Sequence, residues 1–260
     1  MRFGCCVRPD QIETLARAGF DYCELQARAV LPFEAEATAL PELRALEAAP
    51  LRAEAFNVLI PPELPLVGPE ADFTALRLYV QRAFKRMAQI GGVVAVLGSG
   101  RARRIPDEMP RAQALDQLAD VLRFVANEAH QAGLELALEH LNRGECNVFT
   151  SLAECQLFIQ DRGLSQMRLL ADLHHLEVEH ESFSSVVNAA PHLAHVHVAD
   201  GGRRHPGSGG YDHAGFMSAL HAIGYDRRIS AECAWDDLET QAAGALVFMR
   251  EQWHVASKTA

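Results

Sequence analysis

A chain of 260 residues, 49% of them apolar, can bury one substantial core, and its formal net charge of -10 argues against a nucleic-acid partner, because phosphate backbones are held by clustered Lys and Arg. The N-terminal MRFGCCVRPD contains no apolar leader and no run of eighteen apolar residues follows, so a soluble, cytoplasmic protein with no membrane partner is expected. Six cysteines (Cys5, Cys6, Cys23, Cys146, Cys155, Cys233) lie scattered without CxxC spacing and read as reduced thiols.

Short apolar runs recur about every thirty residues, each followed by a stretch of helical period, the signature of repeated βα units. In chain order they are RFGCCV (2–7), DYCELQ (21–26), RAEAFNVLI (52–60), VVAVLGSG (93–100), LELALEHL (134–141), RLLADLHH (168–175), LAHVHVAD (193–200) and RISAECAW (228–235). Between the third and fourth, DFTALRLYVQRAFKRMAQIG spaces Phe73, Leu76, Leu78, Tyr79, Phe84 and Met87 at mostly helical intervals and stops at Gly91-Gly92. RAQALDQLADVLRFVANEAHQAG, ending at Gly133, and HAGFMSALHAIG, ending at Gly224, behave likewise. No linker or low-complexity segment divides the chain. The expected architecture is α/β, a single (β/α)8 TIM barrel over residues 1–260.

Strands of a parallel barrel are buried on both faces and should be apolar throughout. The last four runs break that rule near their C-terminal ends, at Glu139, Asp172, His197 and Glu232. Those ends form the mouth of such barrels, so four ligand-type side chains from neighbouring strands would converge there. Three carboxylates in a poorly hydrated mouth need a compensating charge, either arginine partners for each acid or one divalent cation. Two Glu, one Asp and one His suit Mn²⁺ best, with Mg²⁺, Co²⁺ and Zn²⁺ also compatible.

Other stretches stay open. Arg101, Arg103 and Arg104 after the fourth run, with Arg203, Arg204 and His205 after the seventh, are either solvated loop charges or a grip for a substrate phosphate or carboxylate. The proline-rich AFNVLIPPELPLVG (55–68) reads as a lid, a pocket wall, a rigid connector or a subunit contact. Glu24 could reach the pocket or pair with an arginine, and His195 reads as a hydrogen-bonded core residue. Lys85 and Lys258 lie in a helical stretch and the C-terminal tail, which excludes a Schiff-base lysine at a strand end.

Glu139-His-Leu-Asn-Arg-Gly-Glu145, Asp172-Leu-His-His175, and His197 followed by Arg203 together resemble the ketose 3-epimerases of the xylose isomerase-like TIM barrel superfamily, and also its hydroxypyruvate isomerases and wider sugar phosphate isomerase/epimerase group. The resemblance spans essentially the whole chain and is sharpest from Leu134 to Trp235. It implies that Glu139, Asp172, His197 and Glu232 hold one divalent metal, that Glu139 and Glu232 exchange protons with the substrate, and that Glu145, His175 and Arg203 contact substrate oxygens. It implies isomerisation or epimerisation of a ketose or related keto sugar through an enediolate, a sugar or keto-acid as substrate, and a homodimer or homotetramer. The same enolate would also serve a dehydratase or lyase on a keto sugar or cyclic polyol ketone, while an apurinic-site nuclease and a non-catalytic binding barrel are the readings from other classes. His140 after the first glutamate, the Leu-His-His run after Asp172, and the shorter chain depart from the family pattern and bear on the substrate more than on the chemistry.

Overall fold

The computed structural model describes residues 1–258. Eight parallel strands close into a barrel in sequence order: β1 (Arg2–Cys6), β2 (Tyr22–Gln26), β3 (Ala53–Asn57), β4 (Val94–Leu97), β5 (Glu135–Glu139), β6 (Met167–Asp172), β7 (Leu193–Val198) and β8 (Arg228–Ala231), with β8 pairing back onto β1. Each strand begins within one residue of the start of its apolar run. All the runs but the second continue past the strand ends, because they include the rim residues that peel away from the sheet. β4, for example, stops at Leu97, and Ser99 sits at φ 40°.

Side chains of a strand alternate between faces, and here the two buried faces differ in chemistry. Phe3, Cys23, Leu25, Phe56, Leu97, Leu136, Leu138, Val196 and Ile229 pack outward under the helices as part of one large core. Tyr22, Ala55, Val94, Val96, Ala137 and Leu170 form a separate cluster that fills the barrel interior. Gly4 leaves room for the Tyr22 ring, which occupies the space where any β-carbon at position 4 would stand. Two positions further along the same face, Tyr22, Ala55, Ala137 and Leu170 are succeeded by Glu24, Asn57, Glu139 and Asp172, and on β7 and β8 His195 and Ser230 by His197 and Glu232. An apolar plug thus gives way to a polar layer towards the C-terminal mouth.

The three helices anticipated between strands form at Phe73–Gln89, Arg111–Gln131 and His213–Ala222. Asp72 and Asp212 cap the first and third by accepting N–H bonds from the opening turns. Gly133 takes φ 80° just past the second, a left-handed stop that a side chain would strain.

Segment 55–68 is a packed wall. Leu59, Ile60, Leu66 and Val67 are buried, Tyr79 Oη donates to the Leu59 carbonyl at 3.0 Å, and Leu66 N donates to the Ala102 carbonyl at 2.7 Å. All six cysteines are free. Among the described residues no helix is long and apolar enough to cross a membrane.

Candidate metal and substrate site

The polar layer gathers Glu139, Asp172, His197 and Glu232 so that one ligand atom from each lies within 4.8 Å of every other. Donors sharing one cation at about 2.1 Å stand at most about 4.2 Å apart, so the set needs only a small contraction to serve a common ion. His197 Nδ1 sits 3.3 Å from Glu139 Oε1 and 3.5 Å from Glu232 Oε2. Asp172 also caps the helix Leu173–Val178: its Oδ1 accepts the His174 N–H at 2.7 Å, leaving Oδ2 turned to the site. The same cap takes His174 and His175 out of the sixth strand, where the apolar run had placed them.

Arginine does not neutralise the acids one by one. Arg203 Nη1 reaches Glu232 Oε2 at 3.4 Å, whereas neither the Glu139 nor the Asp172 carboxylate has an arginine or lysine within 4.0 Å among the described residues. Burial therefore pushes the Asp172 carboxyl up to about 7, with Glu139 and Glu232 adding to the rise. Burial, then the Glu232 charge, raises Glu139 as well. Burial acts in the same sense on Glu232, but His197 and Arg203 outweigh it and hold this carboxyl down to about 2. Burial disfavours a charged His197, yet Glu24, Glu232 and Glu139 overcome it and raise the imidazole well above its ordinary value. The donor set thus draws positive charge to one point, and a divalent cation fits it.

A ring of hydrogen-bonded side chains lies beside that point. Arg203 Nη2 lies 2.9 Å from His175 Nε2 and 3.4 Å from Glu145 Oε1. Asn142 joins the ring, donating from its backbone N–H to His175 Nδ1 at 3.1 Å and from Nδ2 to Glu145 Oε1 at 2.8 Å. Burial, with the neighbouring His140 and the Arg203 guanidinium, holds His175 far below the usual histidine range, so it stays neutral. Arg203 sits at φ 56°, a left-handed backbone held by its surroundings. Its carbonyl accepts the Ala234 N–H at 2.7 Å, and the loop beyond it is tied down by Asp200, whose carboxylate accepts from Gly207, Gly209 and Tyr211 N–H groups.

Of the remaining arginines, Arg103 departs from both sequence readings, whereas Arg101, Arg104 and Arg204 are exposed on their loops. Arg103 is fully buried and donates to the Leu97 and Glu139 carbonyls at 2.9 and 2.7 Å, so it braces β4 and β5 and is neither solvated nor aimed at a ligand. Arg104 reaches the Glu145 carbonyl, Arg204 the Gly201 carbonyl, and His205 stacks on Trp235. Of the three exposed arginines, Arg101 borders a cavity of about 280 Å³ whose wall includes Val58, Ile60, Glu139 and Arg203. A second cavity of about 770 Å³, lined in part by Arg8, Gln26, Asn57 and Trp235, meets the first at Val58, Arg203 and Glu232.

All seven side chains singled out in the sequence stand together at this mouth. Four others carry equal geometric weight and were not assigned. Asn57 Nδ2 donates to Glu232 Oε1 at 2.9 Å. Gly98 leaves the space that the Glu139 carboxylate occupies, and any β-carbon there would overlap Oε2. Asn142 orients His175, and Glu24 accepts from two histidines instead of an arginine. The common signal for Asn57 and Glu24 is alternation: both fall on the inward face of their strands, the face that carries the four converging residues.

The chain has curated relatives among sugar epimerases. Over 166 residues the chain is 29% identical to the 3-dehydro-D-guloside 4-epimerase of Escherichia coli (strain K12), covering 59% of this chain and 63% of that protein. It is 31% identical over 146 residues to the L-ribulose 3-epimerase of Mesorhizobium japonicum, covering 55% and 48%. The matched segments thus span between about half and just under two thirds of these relatives' lengths. The crystal structure of D-psicose 3-epimerase with D-tagatose from Clostridium cellulolyticum H10 superposes with a TM-score of 0.84 over 97% of this chain and 99% of that one at 20% identity, a likeness of fold. With residues 12–252 matching the family profile as well, the chain belongs to the xylose isomerase-like TIM barrel family.

Proposed function

We propose that the protein is a divalent-metal-dependent epimerase or isomerase of a ketose or related keto sugar, acting by proton transfer through an enediolate. The observation that carries the reading is the convergence of Glu139, Asp172, His197 and Glu232 on one point beside cavities large enough for a sugar. Relatives named as a 3-dehydro-D-guloside 4-epimerase and an L-ribulose 3-epimerase support the substrate class. A divalent cation held by the four side chains, Mn²⁺ first among those compatible, would acidify the C–H between a carbonyl and its neighbouring hydroxyl.

The protein supplies the rest. Glu232, paired with Arg203 at 3.4 Å, takes the carbon-bound proton. Glu139 supplies one from the far side of the arc that runs from β5 to β8. Inversion at that carbon follows, and return of the proton to the neighbouring carbon gives aldose–ketose isomerisation. Arg203, Glu145 and His175 grip the substrate hydroxyls, and the wall formed by Val58 and Ile60 keeps bulk water from the reacting face.

The test is a panel of ketoses and keto-acids incubated in deuterated solvent with Mn²⁺, Mg²⁺ or Co²⁺. Solvent deuterium at a single carbon without loss of mass as water supports the reading, and Glu139→Gln or Glu232→Gln should abolish inversion. Loss of water assigns the site to elimination. Bound metal without exchange on any substrate would make this a binding barrel and overturn the proposal.

A further inference from the structure

Beneath the four converging residues lies a second buried polar group that their chemistry does not use. Glu24 is wholly buried on β2 and faces β7 and β8 across the barrel. Its Oε1 lies 2.9 Å from His197 Nε2, and its Oε2 lies 2.7 Å from His195 Nε2 and 2.6 Å from Ser230 Oγ. Tyr22 Oη stands 2.8 Å behind the Ser230 hydroxyl. An ionised carboxylate can only accept. Both Nε2 atoms must therefore carry protons, Ser230 must donate to Glu24, and Tyr22 must donate to Ser230. His195 Nδ1 is consistently left bare and without a partner.

We propose that Glu24 is a positioning residue that fixes the orientation and proton arrangement of His197, so that its Nδ1 and not its Nε2 is presented to a cation shared with Glu139, Asp172 and Glu232; Tyr22, Ser230 and His195 hold Glu24 in turn. The proposal rests on the metal reading of the site. Its physical content is that an imidazole bonded through one nitrogen to a buried carboxylate is both aimed and made more basic at the other, and loss of such a partner costs about 10–100-fold in metal affinity. The register of the barrel makes this possible. His195 and His197 share the inward face of β7, so one carboxylate projecting from β2 serves both.

The experiment uses the full-length protein loaded with Mn²⁺ or Zn²⁺ as probe. Isothermal titration of Mn²⁺ should give a dissociation constant 10–100-fold weaker for Glu24→Gln than for the wild type, with circular dichroism showing the barrel retained. Long-range ¹H–¹⁵N spectra of the Zn²⁺-loaded wild type should show His197 metallated at Nδ1 and protonated at Nε2. That measurement decides the matter even where the variant does not fold. A purely structural Glu24 would lower the melting temperature of Glu24→Gln while leaving its Mn²⁺ affinity within twofold, and that result, or zinc on Nε2, overturns the proposal alone. A wild type that binds no Mn²⁺ overturns the metal reading and this inference with it.

Discussion

Gly98→Ala asks the most of the fewest atoms. Position 98 lies just beyond β4, and the Glu139 carboxylate fills the space where its side chain would be. The backbone there is not left-handed, so alanine is acceptable to the main chain, and the conflict is confined to one added methyl group against Oε2 and, at 3.9 Å, Leu141. To restore van der Waals separation the carboxylate must retreat by roughly 1 Å, a misplacement that costs on the order of a hundredfold in rate for a group in direct contact with the reacting atoms. Overpacking of this kind adds about 1–3 kcal/mol of destabilisation, which for a chain of this length lowers the melting temperature by roughly 2–4 °C per kcal/mol. Glu139 is held at its backbone by Arg103 and close to His197 Nδ1 at 3.3 Å, so it cannot retreat without leaving the shared point. Solvent-deuterium exchange on the best substrate of the panel should fall about a hundredfold and Mn²⁺ affinity with it. A variant that melts within 10 °C of the wild type would show the barrel intact. Wild-type exchange and metal affinity in Gly98→Ala would refute the claim that this glycine exists to seat the carboxylate.

Protons and metal should compete. Asp172 titrates near 7 in the folded protein against 3.8 as an ordinary carboxyl, so its protonation stabilises the metal-free fold fully below about pH 4, and that contribution is lost as pH rises towards 7. Mn²⁺ affinity should accordingly climb between pH 5 and 7, with proton release measurable by calorimetry in buffers of different ionisation enthalpy; affinity flat across that interval would count against the coupling of Asp172 to the cation. Arg103→Met should destabilise by at least about 3 kcal/mol, because it strips donors from the buried Leu97 and Glu139 carbonyls; a denaturant midpoint implying less than about 1 kcal/mol would refute the bracing role. Arg203→Lys keeps the charge but not the fork that spans Glu232, His175 and Glu145, so kcat/KM should fall about 10–100-fold with an unchanged melt, and unaltered kinetics would remove Arg203 from the substrate contacts.

The barrel was legible because parallel strands buried on both faces leave an unmistakable trace: eight apolar runs at regular spacing, each separated by a helix with its own stop. What the trace cannot carry is which of two buried faces points inward. Cys23 and Glu24 are adjacent and equally buried, yet one meets the helices and the other the histidines of β7. Glu139, Asp172, His197 and Glu232 stood out since a charged or imidazole side chain in such a run is anomalous wherever it points. Asn57 and Gly98 did not, being an amide at the end of an apolar run and a glycine in what reads as a turn. Arg103 misled for the opposite reason. A guanidinium in an arginine-rich loop looks solvated until its carbonyl partners are in view.

That contrast bears on how the site is sustained. Burying four carboxylates, three histidines and an arginine in one barrel mouth is costly, and the fold meets the cost in layers. Tyr22, Ala55, Val94, Val96, Ala137 and Leu170 seal the interior below with apolar volume. Above them Glu24 is matched by donors on both oxygens, so it stays ionised without a cation of its own. Only at the next level are acids left without arginine or lysine partners, at Glu139 and Asp172, while Glu232 is shared between Asn57 and Arg203. The unsatisfied charge is thereby confined to the one level that opens onto the two cavities, where a cation and a substrate can reach it. Had Glu24 lacked its donors, the cation would have had two competing sites a few ångströms apart; with them, the imidazole of His197 links a finished network below to an unfinished one above.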